Sequence, residues 1–163
     1  MGDAGAKSFV VPLWQCVHNL HEGRVRWDGR DLGEASALVV KKLGDVTDPY
    51  AENRLLMLKQ LESSGVLVVS RPDAIAVAVN RYRMTGLLRA AGVPMPRTVV
   101  PESLDEAEAA VDAWGRAVLK PLFTSKGRGM LLLSQAAAPR LALRRFQREE
   151  RGPFYLQEFV PAA

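Results

Sequence analysis

The segment with the clearest chemical potential is a predicted strand that ends in Lys120, together with the glycine-containing loop that follows it. The strand spans residues 116–121, the loop spans residues 122–129, and Gly127 and Gly129 lie near the end of the loop. Glycine lets backbone amides approach an anion closely, and successive amides can form a concave anion site. The loop side chains add hydroxyl donors and cations: Thr124, Ser125, Lys126 and Arg128. The pattern predicts a polyphosphate site; the alternative is a hairpin turn shaped by glycine, with its cations solvated.

Other signatures of nucleotide, metal or nucleophilic chemistry are missing from the sequence. There is no GxxxxGK(S/T) motif and no GxGxxG motif after the first strand, so neither a P-loop NTPase nor a Rossmann dinucleotide-binding domain is indicated. Cys16 is the single cysteine, which excludes an internal disulfide and a CxxC metal site. We interpret His18 and His21 as surface residues and predict no metal site, because no further ligands stand at suitable spacing.

Composition and charge fit an ordinary globular protein of one or two domains. The 163 residues are 48% hydrophobic and 25% charged, and no apolar run approaches the roughly 20 residues of a membrane-spanning helix. Without a secretory pattern and with one thiol, we expect a cytoplasmic protein. The net charge is +4, and positions 140, 144 and 148 would form a basic stripe on a helix. A solvated face is the simpler interpretation of this stripe, and a docking surface for an acidic partner is the alternative.

The first part of the chain has the pattern of a βαβ unit. Residues 8–13 and 37–40 are β-rich, and the second run is apolar throughout, as in a strand buried on both faces. A predicted helix begins near Asp48 and ends at Gly65, and residues 66–69 form the next strand. Such a unit has a parallel sheet and a right-handed crossover.

The rest of the chain mixes helices and strands. Helices are predicted at residues 74–91, 104–114 and 139–150. Strands are predicted at residues 98–100, 116–121, 130–133 and 154–160. The second of these helices begins with a capping box, in which Ser103 and Glu106 satisfy each other's backbone donors. Residues 116–133 form a hairpin whose long turn is cationic.

Four segments resemble successive blocks of the RimK-like ATP-grasp ligases. They are residues 80–85 (NRYRMT), 91–98 (AGVPMPRT), 118–130 (VLKPLFTSKGRGM) and 155–160 (YLQEFV). Their order and spacing match the family from about residue 37 onwards. A narrower likeness, to the ATP-grasp enzyme of the bacterial GAK gene system, is carried by residues 41–44 (KKLG), 70–72 (SRP) and 126–130 (KGRGM).

The resemblance implies an α/β protein with two domains. Residues 1–73 would form a Rossmann-like pre-ATP-grasp domain with a parallel sheet, and residues 74–163 the small α+β N-terminal subdomain of an ATP-grasp fold. The C-terminal subdomain, which supplies the family's magnesium ligands, has no counterpart after Val160. We therefore expect a truncated form. A reading frame that continues into Asp, Glu and Asn ligands would support this expectation, whereas a stop codon would indicate a pseudo-ligase.

The resemblance also implies roles for individual residues. Lys120 would contact a phosphate of ATP, and Arg81 would replace a family lysine, keeping its charge with a different shape. The loop that would cover the β- and γ-phosphates comprises Thr124, Ser125, Lys126, Gly127, Arg128 and Gly129. The strand that would present main-chain groups to adenine comprises Gln157, Glu158, Phe159 and Val160. ATP and magnesium are the implied cofactors, and no catalytic residue is assigned.

These observations give a leading hypothesis and two alternatives. The leading hypothesis is a ligase in which ATP phosphorylates a carboxylate and an amine then attacks the acyl-phosphate; neither substrate is indicated. The first alternative is an inactive nucleotide-binding or partner-docking module that uses residues 140–151. The second, an RNA-binding domain, is disfavoured because aromatic residues are not interleaved with the cations. We also expect the last strand to expose an edge that favours a homo-oligomer.

Overall fold

A computed structural model describes residue 5 and residues 7–124 and 126–161 of the protein. The chain divides into two compact units, Met1–Ala76 and Val77–Ala163, each with its own hydrophobic core. Ser125, which was expected in the phosphate-binding loop, lies outside the described residues. Within the described ranges, no helix has the length and apolar character needed to cross a membrane.

The first unit contains an antiparallel sheet and a parallel pair of strands. The antiparallel sheet has the strands β1 (Val17–Asn19), β2 (Arg24–Trp27) and β3 (Arg30–Asp31) in that order. The parallel pair is formed by β4 (Ala37–Val39) and β5 (Leu67–Val69), with helix α1 (Ala51–Ser63) between them in the chain. The predicted βαβ unit is confirmed.

Two details of this unit differ from the sequence predictions. No strand forms at residues 8–13; instead, a short 3-10 helix, Leu13–Gln15, begins after Pro12. Proline lacks the amide donor that a strand ladder needs, which disfavours a strand at this position. The strands β4 and β5 are not buried on both faces, because Val39 and Val69 face each other in register and are 59% and 45% exposed.

The core of the first unit forms along one side of α1. Leu58 and Leu61 of α1 pack in one cluster with Val25 of β2 and Val68 of β5, and all four are at most 3% exposed. Burial of this kind stabilises a domain by about 25 cal/mol per Å² of apolar surface. This unit contains none of the predicted site residues.

Two helices of the second unit follow the sequence signals closely, and a third predicted helix is divided in two. Helix α2 (Pro72–Val79) spans the division of the chain between Ala76 and Val77. The second unit continues with α3 (Arg81–Ala90), α4 (Leu104–Trp114) and α5 (Arg140–Glu150). Ser103 caps α4 by accepting a hydrogen bond from the Glu106 amide, as predicted. The single helix predicted for residues 74–91 is broken at Asn80, which is extended and accepts a hydrogen bond from the Arg83 amide. Asparagine favours this N-cap position, so the chain starts a new helix there.

The sheet of the second unit is antiparallel and has four strands. They are β6 (Thr98–Val99), β7 (Arg116–Lys120), β8 (Leu131–Ser134) and β9 (Tyr155–Glu158). Their order is β6-β9-β7-β8, so β9 is an interior strand with partners on both sides. The expectation that this last strand exposes an edge was therefore wrong; the edge strands are β6 and β8. The predicted hairpin formed by β7 and β8 is confirmed.

The two faces of this sheet have different roles. Ala117, Leu119 and Leu156 are fully buried in one core cluster with residues of α4 and α5. Side chains alternate between the faces of a strand, so Lys120 and its register partner Tyr155 lie on the opposite face. Helix α3 contacts that opposite face, where its Thr85 hydroxyl lies 2.7 Å from the Tyr155 hydroxyl.

Candidate functional site

The site begins with Lys120, the last residue of β7, which lies on the face of the sheet contacted by α3. Its ammonium donates a hydrogen bond to Oε1 of Gln157 at 2.5 Å. The Nε2 atom of Gln157 donates in turn to the Thr98 hydroxyl oxygen at 3.1 Å, and the Thr98 hydroxyl donates to the Pro96 carbonyl at 2.9 Å. A chain of hydrogen bonds therefore crosses the sheet from β7 through β9 to β6.

Arg81, the first residue of α3, brings a second cation to the same place. Its Nη2 atom donates to the Thr124 carbonyl at 3.0 Å, and its guanidinium carbon lies 5.8 Å from the centre of the Tyr155 ring. The other terminal nitrogen, Nη1, is buried and has no hydrogen-bond acceptor among the residues that the structure describes. Arg81 is thus anchored to the loop by one nitrogen, while the other lacks a partner.

Both cations have lowered pKa values, and the charge of Arg81 contributes to the shift of Lys120. Burial lowers the pKa of Lys120, and the nearby charge of Arg81 lowers it further. Burial also lowers the pKa of Arg81. Both shifts arise because a positive charge loses hydration, and the lysine also meets a second positive charge. The site therefore favours an anionic ligand.

Three residues of the loop after β7 have left-handed backbone conformations. Lys126, Gly127 and Gly129 have positive φ angles of 58°, 72° and 69°. The Thr124 hydroxyl donates to the Arg128 carbonyl at 2.9 Å, which closes the loop on itself. The loop from Lys126 to Gly129 is exposed to solvent. The cations of the loop, Lys126 and Arg128, are thus available to a ligand but do not contact Lys120 in this arrangement.

The carboxylate of Glu158 does not join this site. Glu158 is the register partner of Ala117, which places its side chain on the face of α4 and α5, opposite Lys120. Arg97 donates to both Glu158 oxygens at 2.8 and 2.7 Å and lies 5.6 Å from the Trp114 ring centre. This ion pair lowers the pKa of Glu158. The carboxylate therefore ties β9 to the chain before β6.

The main chain at the end of β9 has both used and available groups. The amide of Glu158 donates to the Arg97 carbonyl at 2.8 Å, and the amide of Phe159 donates to the Arg116 carbonyl at 3.2 Å. The Phe159 ring stacks under the Arg116 guanidinium, 4.1 Å from its centre. The amide of Val160 makes no hydrogen bond within the described part of the chain.

An open cleft of about 600 Å³ lies beside the site, between α3 and the segment before β6. Its lining includes Thr98 and Tyr155 as well as Tyr82, Arg89 and Arg97. The sequence analysis did not identify Thr98 and Tyr155 as site residues. The alternation of side chains along β9 could have identified Tyr155, because it places Tyr155 and Gln157 on the same face of the strand.

Among the described residues there is no group of three or more His, Cys, Asp or Glu side chains that could hold a metal ion.

Known proteins are similar to this chain in sequence or in fold over most of its length. A tetrahydromethanopterin:alpha-L-glutamate ligase from Methanosarcina acetivorans is 33% identical over 139 residues, which cover 79% of this chain and 43% of that protein. The Methanococcus maripaludis enzyme of the same name is 30% identical over 141 residues, covering 85% of this chain and 47% of that protein. The RimK domain protein ATP-grasp from Sphaerobacter thermophilus matches with a TM-score of 0.59 at 26% identity, over 78% of this chain and 47% of that one. This chain has the ATP-grasp fold over the residues that it shares with these proteins.

A second solved structure shares the fold over most of this chain. The ATP-grasp ligase PsnB shares the fold with a TM-score of 0.60 at 20% identity, over 90% of this chain and 51% of that one. No family model matches the chain. The chain spans about half the length of the curated relatives that it matches, 43% and 47%. The ATP-grasp fold predicted from the sequence is confirmed for the part that this chain contains.

Proposed function

We propose that this chain carries part of the ATP site of a carboxylate–amine ligase. The observation that supports this most directly is the convergence of Lys120 and Arg81 on one face of the sheet. Both cations are partly buried and have lowered pKa values, and the buried Nη1 of Arg81 has no acceptor among the described residues. Such a pair is unfavourable alone and becomes favourable when an anion enters. A triphosphate supplies the required charge.

The loop would complete the phosphate site. Backbone amides of the segment from residue 124 to 129 would bind phosphate oxygens, and Lys126 and Arg128 would screen charge on the β- and γ-phosphates during transfer. The exposure of the loop from Lys126 to Gly129 supports this role, because glycine lets a ligand approach the backbone closely. The hydroxyl-bearing Thr124 and Ser125 belong to the same proposed loop.

The end of β9 would hold adenine. Backbone groups of residues two apart in an extended segment point to the same edge, so the Glu158 carbonyl and the Val160 amide lie on one side of the strand. The Val160 amide is without a hydrogen bond in the described chain. An acceptor and a donor at this spacing match the amino group and ring nitrogen of adenine. Gln157 and Phe159 flank these groups.

The proposed reaction has two steps. A substrate carboxylate oxygen attacks the γ-phosphorus of ATP, the bond to the β,γ-bridging oxygen breaks, and ADP leaves with the electron pair. An amine then attacks the acyl-phosphate carbon; phosphate leaves, the amine loses a proton, and an amide forms. Lys120 and the loop would stabilise the negative charge on the phosphates. When bound, magnesium would neutralise phosphate charge, and its ligands are not assigned to residues of this chain.

Titration calorimetry with ATP and magnesium tests this proposal. We expect measurable binding to the natural chain and at least a tenfold loss in Lys120→Ala, because one charge-assisted contact contributes roughly 1.5–3 kcal/mol. Arg144→Ala is the matched control, since it removes one positive charge from an exposed position on α5. Equal affinities for the natural chain and Lys120→Ala would contradict the proposal. Binding without ADP production from any carboxylate and amine pair would instead favour an inactive nucleotide-binding module.

The docking alternative receives less support from the structure. Arg140, the first residue of the expected basic stripe, contacts Glu108 and pairs with Asp105 at 2.8 Å. Arg145 pairs with Glu149 at 2.8 Å on the same helix. These ion pairs reduce the free positive charge that an acidic partner would recognise.

The proposal has three further parts. We propose that the protein is RimK-like and related to the GAK system, that its domain boundary lies between residues 73 and 74, and that it is located in the cytoplasm.

A further inference from the structure

The hydrogen bonds between Pro96 and Lys120 have a fixed direction. The Thr98 hydroxyl donates its proton to the Pro96 carbonyl at 2.9 Å, so its oxygen acts as the acceptor for Gln157 Nε2 at 3.1 Å. Because the NH₂ group of Gln157 faces Thr98, its carbonyl oxygen faces the ammonium of Lys120. A flipped amide would direct NH₂ donors at an ammonium, which carries donors only.

We propose that Thr98 is a positioning residue: its hydroxyl fixes the amide of Gln157 so that the carbonyl oxygen holds the ammonium of Lys120 towards the phosphate site. The inference rests on the proposed function for its biological meaning, since it concerns how the phosphate-binding lysine is oriented. It adds a residue of β6 to a site that the sequence analysis placed on β7, the loop, β9 and Arg81. Thr98 acts through Gln157 and does not itself contact Lys120.

The surroundings of Lys120 explain why such an arrangement matters. Burial and the positive charge of Arg81, from α3, both disfavour the ammonium form. The neighbouring Tyr155 hydroxyl of β9 is paired with Thr85. The Gln157 carbonyl is a neutral acceptor that offsets these effects while leaving two of the three ammonium protons for an anion. If the amide rotates, Lys120 loses this acceptor and gains a repulsive neighbour.

The substitution Thr98→Val tests the proposal, because valine keeps the shape of threonine and removes the hydroxyl. We expect the pKa of Lys120, followed by NMR of its ε-methylene in the absence of any ligand, to fall relative to the natural chain. The affinity for inorganic tripolyphosphate, measured by calorimetry at a pH below the pKa of the variant so that Lys120 stays charged, should fall by about threefold to tenfold, the size of one neutral hydrogen bond. Thr98→Ser retains the hydroxyl and should restore both values.

A Gln157→Glu background provides the sharper control. Both carboxylate oxygens accept hydrogen bonds, so the orientation of this side chain no longer matters, and Gln157→Glu should raise the pKa of Lys120. Adding Thr98→Val to Gln157→Glu should then change that pKa little, which makes the double-mutant cycle strongly non-additive. The cycle compares folded variants, verified by the amide protection of α4.

Three results would overturn the inference. They are an unchanged Lys120 pKa in a folded Thr98→Val variant, an equal effect of Thr98→Val in both backgrounds, and a Gln157→Glu variant in which the lysine pKa does not rise. If Thr98→Val does not fold, the Gln157→Glu result and the comparison of Thr98→Ser with Thr98→Ala decide the question. A natural chain that binds no tripolyphosphate would count against the proposed function, whereas the ligand-free pKa measurements would still test the role of Thr98.

Discussion

Lys120 and Arg81 come from different elements, and their proximity determines the electrostatics of the site. Lys120 ends β7, Arg81 begins α3, and the charge of Arg81 contributes to the lowered pKa of Lys120. The sequence indicated Lys120 because its strand and glycine-containing loop are contiguous. It could not show that Arg81 binds the Thr124 carbonyl, since that contact joins residues 43 positions apart. The sequence also could not show that Arg97 binds the Glu158 carboxylate on the face of the sheet opposite Lys120.

At the residue scale, we predict that anion binding weakens as the pH rises through the pKa of Lys120. That pKa is lowered in the folded chain, so the ammonium is lost at a lower pH than in an ordinary lysine. An anion favours the charged form, and its affinity therefore declines once the neutral amine predominates. Calorimetry with tripolyphosphate across the alkaline range measures this decline. Lys120→Arg should give a flatter profile because arginine stays protonated, and identical profiles would contradict the prediction.

The same shift has a defined sign for stability. The folded chain binds the Lys120 proton more weakly than the unfolded chain does, so the unfolded chain carries more protons between the two pKa values. The contribution of this group to the free energy of unfolding therefore rises with pH through that window and is lowest below it. Lys120→Met should remove that contribution, which urea denaturation at several alkaline pH values can detect.

At the element scale, the hairpin formed by β7 and β8 shows where local sequence suffices. Its strands and glycine-containing turn are contiguous, and the structure confirms their pairing. The Ser103 cap of α4 is equally local and was predicted correctly. The break at Asn80 was missed because helical segments lie on both sides of it, although asparagine is a recognised N-cap. The interior position of β9 depends on pairing with residues far along the chain, which no local pattern specifies.

We predict that Gly129→Ala destabilises the second unit more than Gly127→Ala does. Both glycines have positive φ angles, 69° and 72°, so a side chain at either costs roughly 1 kcal/mol. At Gly129 the new Cβ would also lie 3.0 Å from Cγ of the buried Pro121, whereas at Gly127 it would meet no atom within 4 Å among the described contacts. Urea denaturation of both variants measures the difference. Equal losses would show that Pro121 relaxes without cost.

At the scale of the whole molecule, two separate cores account for the burial of apolar side chains. Leu58 lies in the cluster of the first unit, and Leu119 lies in the cluster of the second; both are fully buried. Strand and helix order predicted the βαβ unit of the first unit, and the resemblance to ATP-grasp ligases predicted the fold class of the second. It did not predict which strand faces remain exposed, because exposure depends on what each face packs against.

We predict that each core controls protection in its own unit. Leu58→Ala and Leu119→Ala should each cost about 2–5 kcal/mol, because each leaves a cavity in a packed cluster. Hydrogen exchange should show faster exchange in α1 and β5 for Leu58→Ala, and in β7 and β9 for Leu119→Ala. The two substitutions are chemically identical and serve as controls for each other. Faster exchange in the same set of amides for both variants would contradict the prediction.

The order of strands in the second sheet has a consequence for biosynthesis. The hairpin of β7 and β8 can form soon after its residues leave the ribosome, but β6 has no sheet neighbour until β9 emerges. At roughly 5–20 residues per second, the interval between residues 99 and 155 takes several seconds. During that interval, Leu119 and Leu133 of the nascent chain lack the final strand that buries them. The emerging polypeptide is therefore expected to depend on chaperone protection until Glu158 has been translated and released from the exit tunnel.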